Sequence, residues 1–262
     1  MTRVRIRFTK FGKLRFTSHR DVARMWERAV RRVGLPVAYS EGFSPRAKLH
    51  FGLALSTGHE SAAEYLDVDV DSSEDDKASH LDYEALPEAL SAALPIGVEA
   101  TAAAAIPPGT PSLQQAVTSC TWQVGISGAT RHEVRSAVEQ ALASDALKLT
   151  RTRKGVEITD DVRPYLLDLH VEAPTDAAIA LSAHLATQPR GLRISELLSV
   201  LGEGLDEGRV IRTHQWTSLD GALREPLPLA ATSASHTDMC VLRREHLDDR
   251  YRSLRPSRAA QR

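Results

Sequence analysis

Cysteine is almost missing from this chain: Cys120 and Cys240 are the two in 262 residues. They lie too far apart for a CxxC pair or a zinc-ligand spacing, so a disulfide scaffold and a cysteine-bound metal or iron–sulfur site are excluded. Aromatic residues are scarce as well, at 5%, so aliphatic side chains and alanine must fill most of any core. No stretch approaches the roughly 18 apolar residues of a membrane span, and the opening MTRVRIRFTK has no apolar signal-peptide core. The expectation is a cytoplasmic protein without a membrane partner. The common catalytic signatures are absent too: there is no P-loop, no dinucleotide-binding glycine fingerprint after a strand, no HExxH and no GxSxG. No cofactor and no metal are expected.

What the chain does have is charge sorted by position. Residues 1–50 hold thirteen Lys or Arg against three Asp or Glu, whereas residues 51–110 hold one Lys against twelve acids. The whole chain is nearly neutral, at a formal −1. A basic segment of this density raises the local potential enough to attract a polyanion.

Residues 3–9 alternate strictly, with Val4, Ile6 and Phe8 on one face and Arg3, Arg5 and Arg7 on the other, which predicts a half-buried strand with an arginine-rich outer face. Leu14 to Thr17 reads as a short returning strand. Ser18 is a good N-cap for a helix whose Val22, Trp26, Ala29 and Val33 share one stripe and whose Arg20, Arg24, Arg28 and Arg31 share the opposite one. Gly34 and Pro36 end it. Strands follow at 37–39, 48–55 and 64–70, then an acidic loop at 71–82, a helix at 84–94 and a strand at 98–106. The order is roughly βαββαβ. After a Pro-rich linker at 107–116 it recurs more weakly: strand 117–126, helix 131–143, strands 147–153, 165–172 and 179–186, helix 194–201 and strand 209–216. The polar clusters at 153–155, 160–163 and 188–193 read as turns. The predicted architecture is α+β, with tandem ferredoxin-like antiparallel domains at 1–106 and 117–217 and a flexible, disordered basic tail over 218–262.

Three features carry candidate chemistry. The arginine-faced strand and arginine-striped helix point to phosphate binding through Arg3, Arg5, Arg7, Arg20, Arg24, Arg28 and Arg31; the competing reading pairs these arginines with the acidic 51–82 segment of the same domain. The loop from Tyr39 to Lys48 combines two aromatics, a glycine and two cations. In it Tyr39 or Phe43 would stack on a base while Arg46 and Lys48 hold phosphate, unless Phe43 plugs the core instead. His19, directly after the N-cap, is the best general-base candidate among the ten histidines, with Tyr39, Lys48 or His50 as the neighbours that would complete a site. A lone histidine at a helix start is more often structural.

The string RIRFTKFGKLRFTSHRDVARMWERAVRRVGLPVAYSEGFSPRAKL resembles the N-terminal signature of a bacterial radical-SAM-linked protein family of uncharacterised function. The resemblance is specific over residues 3–70 and looser to about 217. It implies association with a radical SAM protein and, from the company such genes keep, with RNA. Lacking a three-cysteine cluster, this chain is not itself the radical SAM catalyst. The resulting expectation is an RNA-binding accessory protein that presents tRNA or rRNA to a modifying enzyme. The alternatives are a metal-independent endoribonuclease using His19, and an interaction module docking the radical SAM partner without RNA.

Overall fold

The computed structural model describes residues 1–71, 81–153, 155–173 and 179–227. Its first strand, β1 (Thr2–Lys10), is followed by a 3₁₀ turn over Gly12–Phe16 and by α1 (His19–Arg32). β2 (Leu49–Phe51), β3 (Glu60–Val70), α2 (Leu86–Ala93) and β4 (Val98–Ile106) complete the first half. The second half comprises α3 (Leu113–Ala116), β5 (Val117–Ser127), α4 (Arg131–Ala143), β6 (Lys148–Arg153), β7 (Val156–Asp161), β8 (Leu166–Val171), β9 (Ile179–Ala186), α5 (Ile194–Leu201), β10 (Asp206–Leu219) and β11 (Ala222–Arg224). The fold is mixed α/β.

Among the described residues, one mostly antiparallel sheet of nine strands runs through both halves in the order β4-β1-β3-β10-β5-β9-β8, with β2 alongside β3 and β11 alongside β10. Residues 107–116 therefore separate two cores but not two sheets. Val4, Ile6, Phe8, Trp26, Leu66 and Leu90 belong to the first core; Val124, Val138, Leu169, Leu181 and Leu197 belong to the second. Trp26 is fully buried with its ring centroid 4.9 Å from that of Phe8.

The pleat of β1 settles where its arginines go. Val4, Ile6 and Phe8 pack with Val22, Trp26, Ala29 and Val30 of α1, so Arg3, Arg5 and Arg7 leave the sheet on the face away from that helix. There the antiparallel register sets Arg3 opposite Asp69, Arg5 opposite Asp67 and Arg7 opposite Tyr65. Arg5 grips Asp67 bidentately, Nε to Oδ1 at 2.7 Å and Nη2 to Oδ2 at 2.9 Å. Arg3 Nε donates to Asp69 Oδ1 at 2.7 Å. Arg7 donates to the Tyr65 hydroxyl and, from Nη2, to Glu225 at 3.2 Å. On the other side of β1, Ala104 and Ala102 stand opposite Arg5 and Arg7, small enough to leave room for the guanidinium groups. The expected solvent-facing arginine strand is thus corrected: the alternation holds, but Arg5 and Arg7 are 3% and 2% exposed, because carboxylates of β3 and the segment after β11 cover them.

The two halves meet where β3 and β10 run parallel over two residue pairs, Glu60 with Ile211 and Ser61 with Arg212. So short a ladder is reinforced by side chains. Arg212 is 1% exposed; its Nη2 reaches both oxygens of Glu64, at 2.6 and 2.8 Å, and the carbonyl of Leu53 at 2.9 Å. Burial alone would lower its pKa, but Glu64 and then Cys120 outweigh that and raise it. Buried Glu60 accepts from the Gly12 amide at 2.8 Å and from Arg209. Gln215 donates to the Ala63 carbonyl at 2.6 Å. The neighbouring Cys120 thiol is pushed up to about 11 by burial, which makes it inert at neutral pH.

Other departures have local causes. Leu14–Thr17 is not a strand, because Thr17 closes the 3₁₀ turn by donating its amide to the Leu14 carbonyl at 3.0 Å. Residues 37–39 make only single bridges, Val37 with Val70 and Tyr39 with Ala47. β2 stops at Phe51, since the Leu53 and Ala54 carbonyls accept from Arg212 rather than from a strand. The cluster at 160–163 includes the end of an extra hairpin, β6–β7, whose Leu147 amide donates to Asp161 at 2.8 Å. Residues 218–227, expected in the tail, continue β10, turn into β11 and reach the face of β1. The centre of the acidic loop, 72–80, and the chain from 228 onward lie outside the described residues.

Replacing Arg212 by Met leaves Glu64 buried without its cation. This should cost about 3–5 kcal/mol of unfolding free energy in urea titration, whereas Arg31→Met on the exposed side of α1 should stay within about 0.5 kcal/mol of wild type.

Candidate nucleic-acid interface

Helix α1 is built to show one face to solvent. Ser18 caps it, its Oγ accepting from the Asp21 amide at 3.2 Å, and Gly34 in the left-handed region (φ 70°) releases the chain after it. With Val22, Trp26, Ala29 and Val30 buried, the opposite side carries Arg20, Arg24, Arg28, Arg31 and Arg32, all exposed. Arg24 lies 3.4 Å from Asp21 in a half-exposed pair. Among the described residues no ion pair engages Arg20, Arg28, Arg31 or Arg32. Arg31 and Arg32 also complement the negative end of the helix dipole, though that interaction leaves their outer N–H groups free for a ligand.

The loop after α1 forms a small closed excursion. The Ser40 amide donates to the Arg46 carbonyl at 2.9 Å, and the Arg46 amide returns to Ser40 Oγ at 3.0 Å. Gly42 at its tip has φ 119°, a conformation that disfavours any side chain. Phe43 stands wholly in solvent and Tyr39 is 41% exposed, so Phe43 does not plug the core. Arg46 is exposed and Lys48 half-buried. The strand arginines and the helix arginines, expected to bind phosphate together, instead occupy opposite sides of the sheet. Arg3, Arg5 and Arg7 belong to the internal ladder; the outward cations are those of α1 and the loop.

A cleft of about 380 Å³ opens at the free edge of β2. Its walls include His19 from the start of α1, His50 and Phe51 from β2, Arg3 from β1, and Ser112 and Gln114 from the turn before β5. His19 packs edge-on to the Phe51 ring at 5.1 Å. His50 Nε2 lies 3.0 Å from Asp69 Oδ2, while Asp69 Oδ1 takes Nε of Arg3. Tyr39 and Lys48, expected beside His19, do not line this cleft; His50 does. The dyad of His50 with Asp69 escaped the sequence reading, although alternation across two antiparallel strands, His50 opposite Asp67, carried the signal. A smaller recess of about 30 Å³ shares His19 and Phe51 and is bounded by Lys10, Glu64 and Tyr65. Burial holds the Lys10 ammonium below its ordinary pKa, and burial raises the Tyr65 phenol well above its own. Among the described residues no cluster of His, Cys, Asp and Glu is arranged to hold a metal ion, and no helix is long and apolar enough to cross a membrane.

Asp69 links ladder and cleft, and its titration reports on both. Burial alone would raise its carboxyl, but the hydrogen bonds from Arg3 and His50 outweigh burial and hold it below the ordinary range. A lowered folded value means that the stabilisation is complete above the ordinary carboxylate pKa and is lost as pH falls through the lowered one. Arg3→Met should therefore move the Asp69 carboxyl upward in an NMR pH titration. Because Arg3 is 37% exposed, the accompanying loss of stability at neutral pH should stay below about 1 kcal/mol.

No curated protein matches this sequence. Among solved structures, a chain of "Crystal Structure of a Cbf5-Nop10-Gar1 Complex" aligns at 10% identity with a TM-score of 0.43, over 81% of this chain and 48% of that one. This chain thus spans about half the length of that relative. A family model matches residues 3–194, from the first arginine of β1 to the first residue of α5. That span takes in the ladder, the arginine helix, the exposed loop and the whole cleft. The chain belongs to the bacterial family described as "Uncharacterized protein conserved in bacteria (DUF2344)".

Proposed function

We propose that this protein binds RNA through the outer side of α1 and the loop that follows it, and that it serves as an accessory factor presenting tRNA or rRNA to a radical SAM or other RNA-modifying enzyme. The observation that carries the binding is the row of exposed guanidinium groups, Arg20, Arg24, Arg28, Arg31 and Arg32, along a single helix face. Such a row tracks a phosphate backbone without reading its sequence. The solvent-exposed Phe43 ring, with Tyr39 and Arg46 in the same loop, suits an unpaired base, since stacking on aromatic side chains is how single-stranded and looped RNA is held. The radical SAM partner rests on the sequence resemblance over residues 3–70.

We also read the two halves, 1–106 and 117–217, as two ferredoxin-like units fused edge to edge. The first has strand order β4-β1-β3-β2 and the second β10-β5-β9-β8, with β6–β7 inserted. Each is the antiparallel 4-1-3-2 order of a βαββαβ unit. In this reading both units present helices for partners, while the sheet seam holds them as one platform.

Filter binding of total tRNA and rRNA fragments at two salt concentrations tests the proposal. The affinity should fall with salt, and Arg24→Glu/Arg28→Glu/Arg31→Glu should weaken it by tenfold or more and flatten the log–log slope by about 0.7 for each phosphate that is no longer neutralised. Affinity that is absent, or unmoved by salt and by the triple variant, contradicts it. A radical SAM partner captured equally well after nuclease treatment, and released by the same three exchanges, would favour protein docking instead.

A further inference from the structure

We infer that the cleft at the edge of β2 is a phosphodiester-transfer site that cleaves RNA, with His19 and His50 exchanging protons with the substrate; the inference rests on the RNA-binding reading above. His19 lines the cleft and Arg20, the next residue, begins the exposed arginine row. In this proposal a strand held by that row reaches the cleft at His19, the residue before Arg20. The volume of about 380 Å³ falls within the range of small-molecule pockets and accommodates a nucleotide.

The chemistry follows from the side chains assembled there. His50 is held by a carboxylate, Asp69, at 3.0 Å, which fixes the tautomer and orientation of its ring. Arg3 gives only Nε to Asp69, and its Nη groups, on a side chain 37% exposed, have no hydrogen-bond partner among the described residues. Arg3 lines the cleft, and in this proposal those groups donate to a phosphate in its pentacoordinate state. Facing His50 are Asp69, Asp67 and Arg3; facing His19 across the smaller recess are Lys10, Glu64 and Tyr65.

In the step proposed, His19 removes the proton of a ribose 2′-hydroxyl. The 2′-oxygen forms a bond to the adjacent phosphorus, the bond from phosphorus to the 5′-oxygen breaks, and His50 gives that oxygen a proton. One proton is taken and one returned, no electron changes hands, and the products are a 2′,3′-cyclic phosphate and a 5′-hydroxyl. An imidazole at each end of the reaction coordinate is the arrangement general acid–base catalysis requires.

The full-length protein, treated with EDTA, is incubated with end-labelled tRNA and rRNA fragments and with an all-deoxy copy of one of them. Binding is measured on the same samples. Cleavage of RNA but not of the deoxy copy, with cyclic phosphate at the new 3′ end, is the result expected. His19→Ala and His50→Asn should each slow it by about 100-fold or more, with RNA affinity within twofold and a cooperative urea transition retained. His132→Ala, on the exposed side of α4, should leave it unchanged. RNA that is bound but remains intact overturns the cleavage site and leaves RNA binding standing. RNA that is neither bound nor cut overturns both. Cleavage that survives both His19→Ala and His50→Asn also overturns the inference, since it assigns the activity elsewhere.

Discussion

Strand β3 supplies the carboxylates around which the rest of this fold is arranged. Asp69 and Asp67 neutralise Arg3 and Arg5 of β1 on one side, and Glu64 and Glu60 neutralise Arg212 and Arg209 of β10 on the other. Buried guanidinium groups without such partners would carry a desolvation penalty of several kcal/mol each. With partners placed in register, the same groups specify which strand lies beside which. Two parallel residue pairs are a weak tie between β3 and β10; Arg212, held by Glu64 and the Leu53 carbonyl, makes that tie specific. The alanines of β4 opposite Arg5 and Arg7 belong to the same arrangement, because a larger residue there would compete with the guanidinium groups for space.

This division gives the arginines of the first fifty residues two roles. Those of β1 are paired across the sheet, with Arg5 and Arg7 sealed from water and Arg3 part-exposed at the cleft. Those of α1 point outward along one helix face, with Arg20, Arg28, Arg31 and Arg32 free of ion pairs among the described residues. Neither group can replace the other, since the sheet lies between them. The outward set suits a flexible polyanion, whose phosphates adapt to long, mobile side chains. The cleft takes Arg3 of the β1 set and His19, the residue before Arg20, into its walls.

Much of this was legible from the residues. Alternation in RVRIRFT located β1 and its two faces, and Ser18, the Val22–Trp26–Ala29 stripe and Gly34 located α1 with its arginine side. What alternation cannot tell is whether a polar face meets water or another strand. The answer lay sixty residues away, in Tyr65, Asp67 and Asp69, whose spacing mirrors Arg7, Arg5 and Arg3 in an antiparallel register. The exposed Phe43 was one of two readings of its loop, and a sequence pattern does not decide between them, since Gly-Phe occurs in buried and exposed turns alike. His19 stood out by its place after the cap. His50 was one of its three named neighbours, but its dyad with Asp69 was not legible, because that depends on a pairing between β2 and β3 that only the tertiary fold creates. β7 was missed because its charged residues outweigh its alternation.

A double-mutant cycle on Arg5 and Asp67 tests the central claim most directly. This pair is buried and bidentate. Arg5→Leu and Asp67→Leu should each destabilise the protein by about 3–5 kcal/mol, and the double exchange should recover most of that loss because no unpaired charge remains. Additive losses in the double variant, or single variants near wild-type stability, would mean that the strand arginines are not neutralised inside the fold and that the ladder does not organise the sheet.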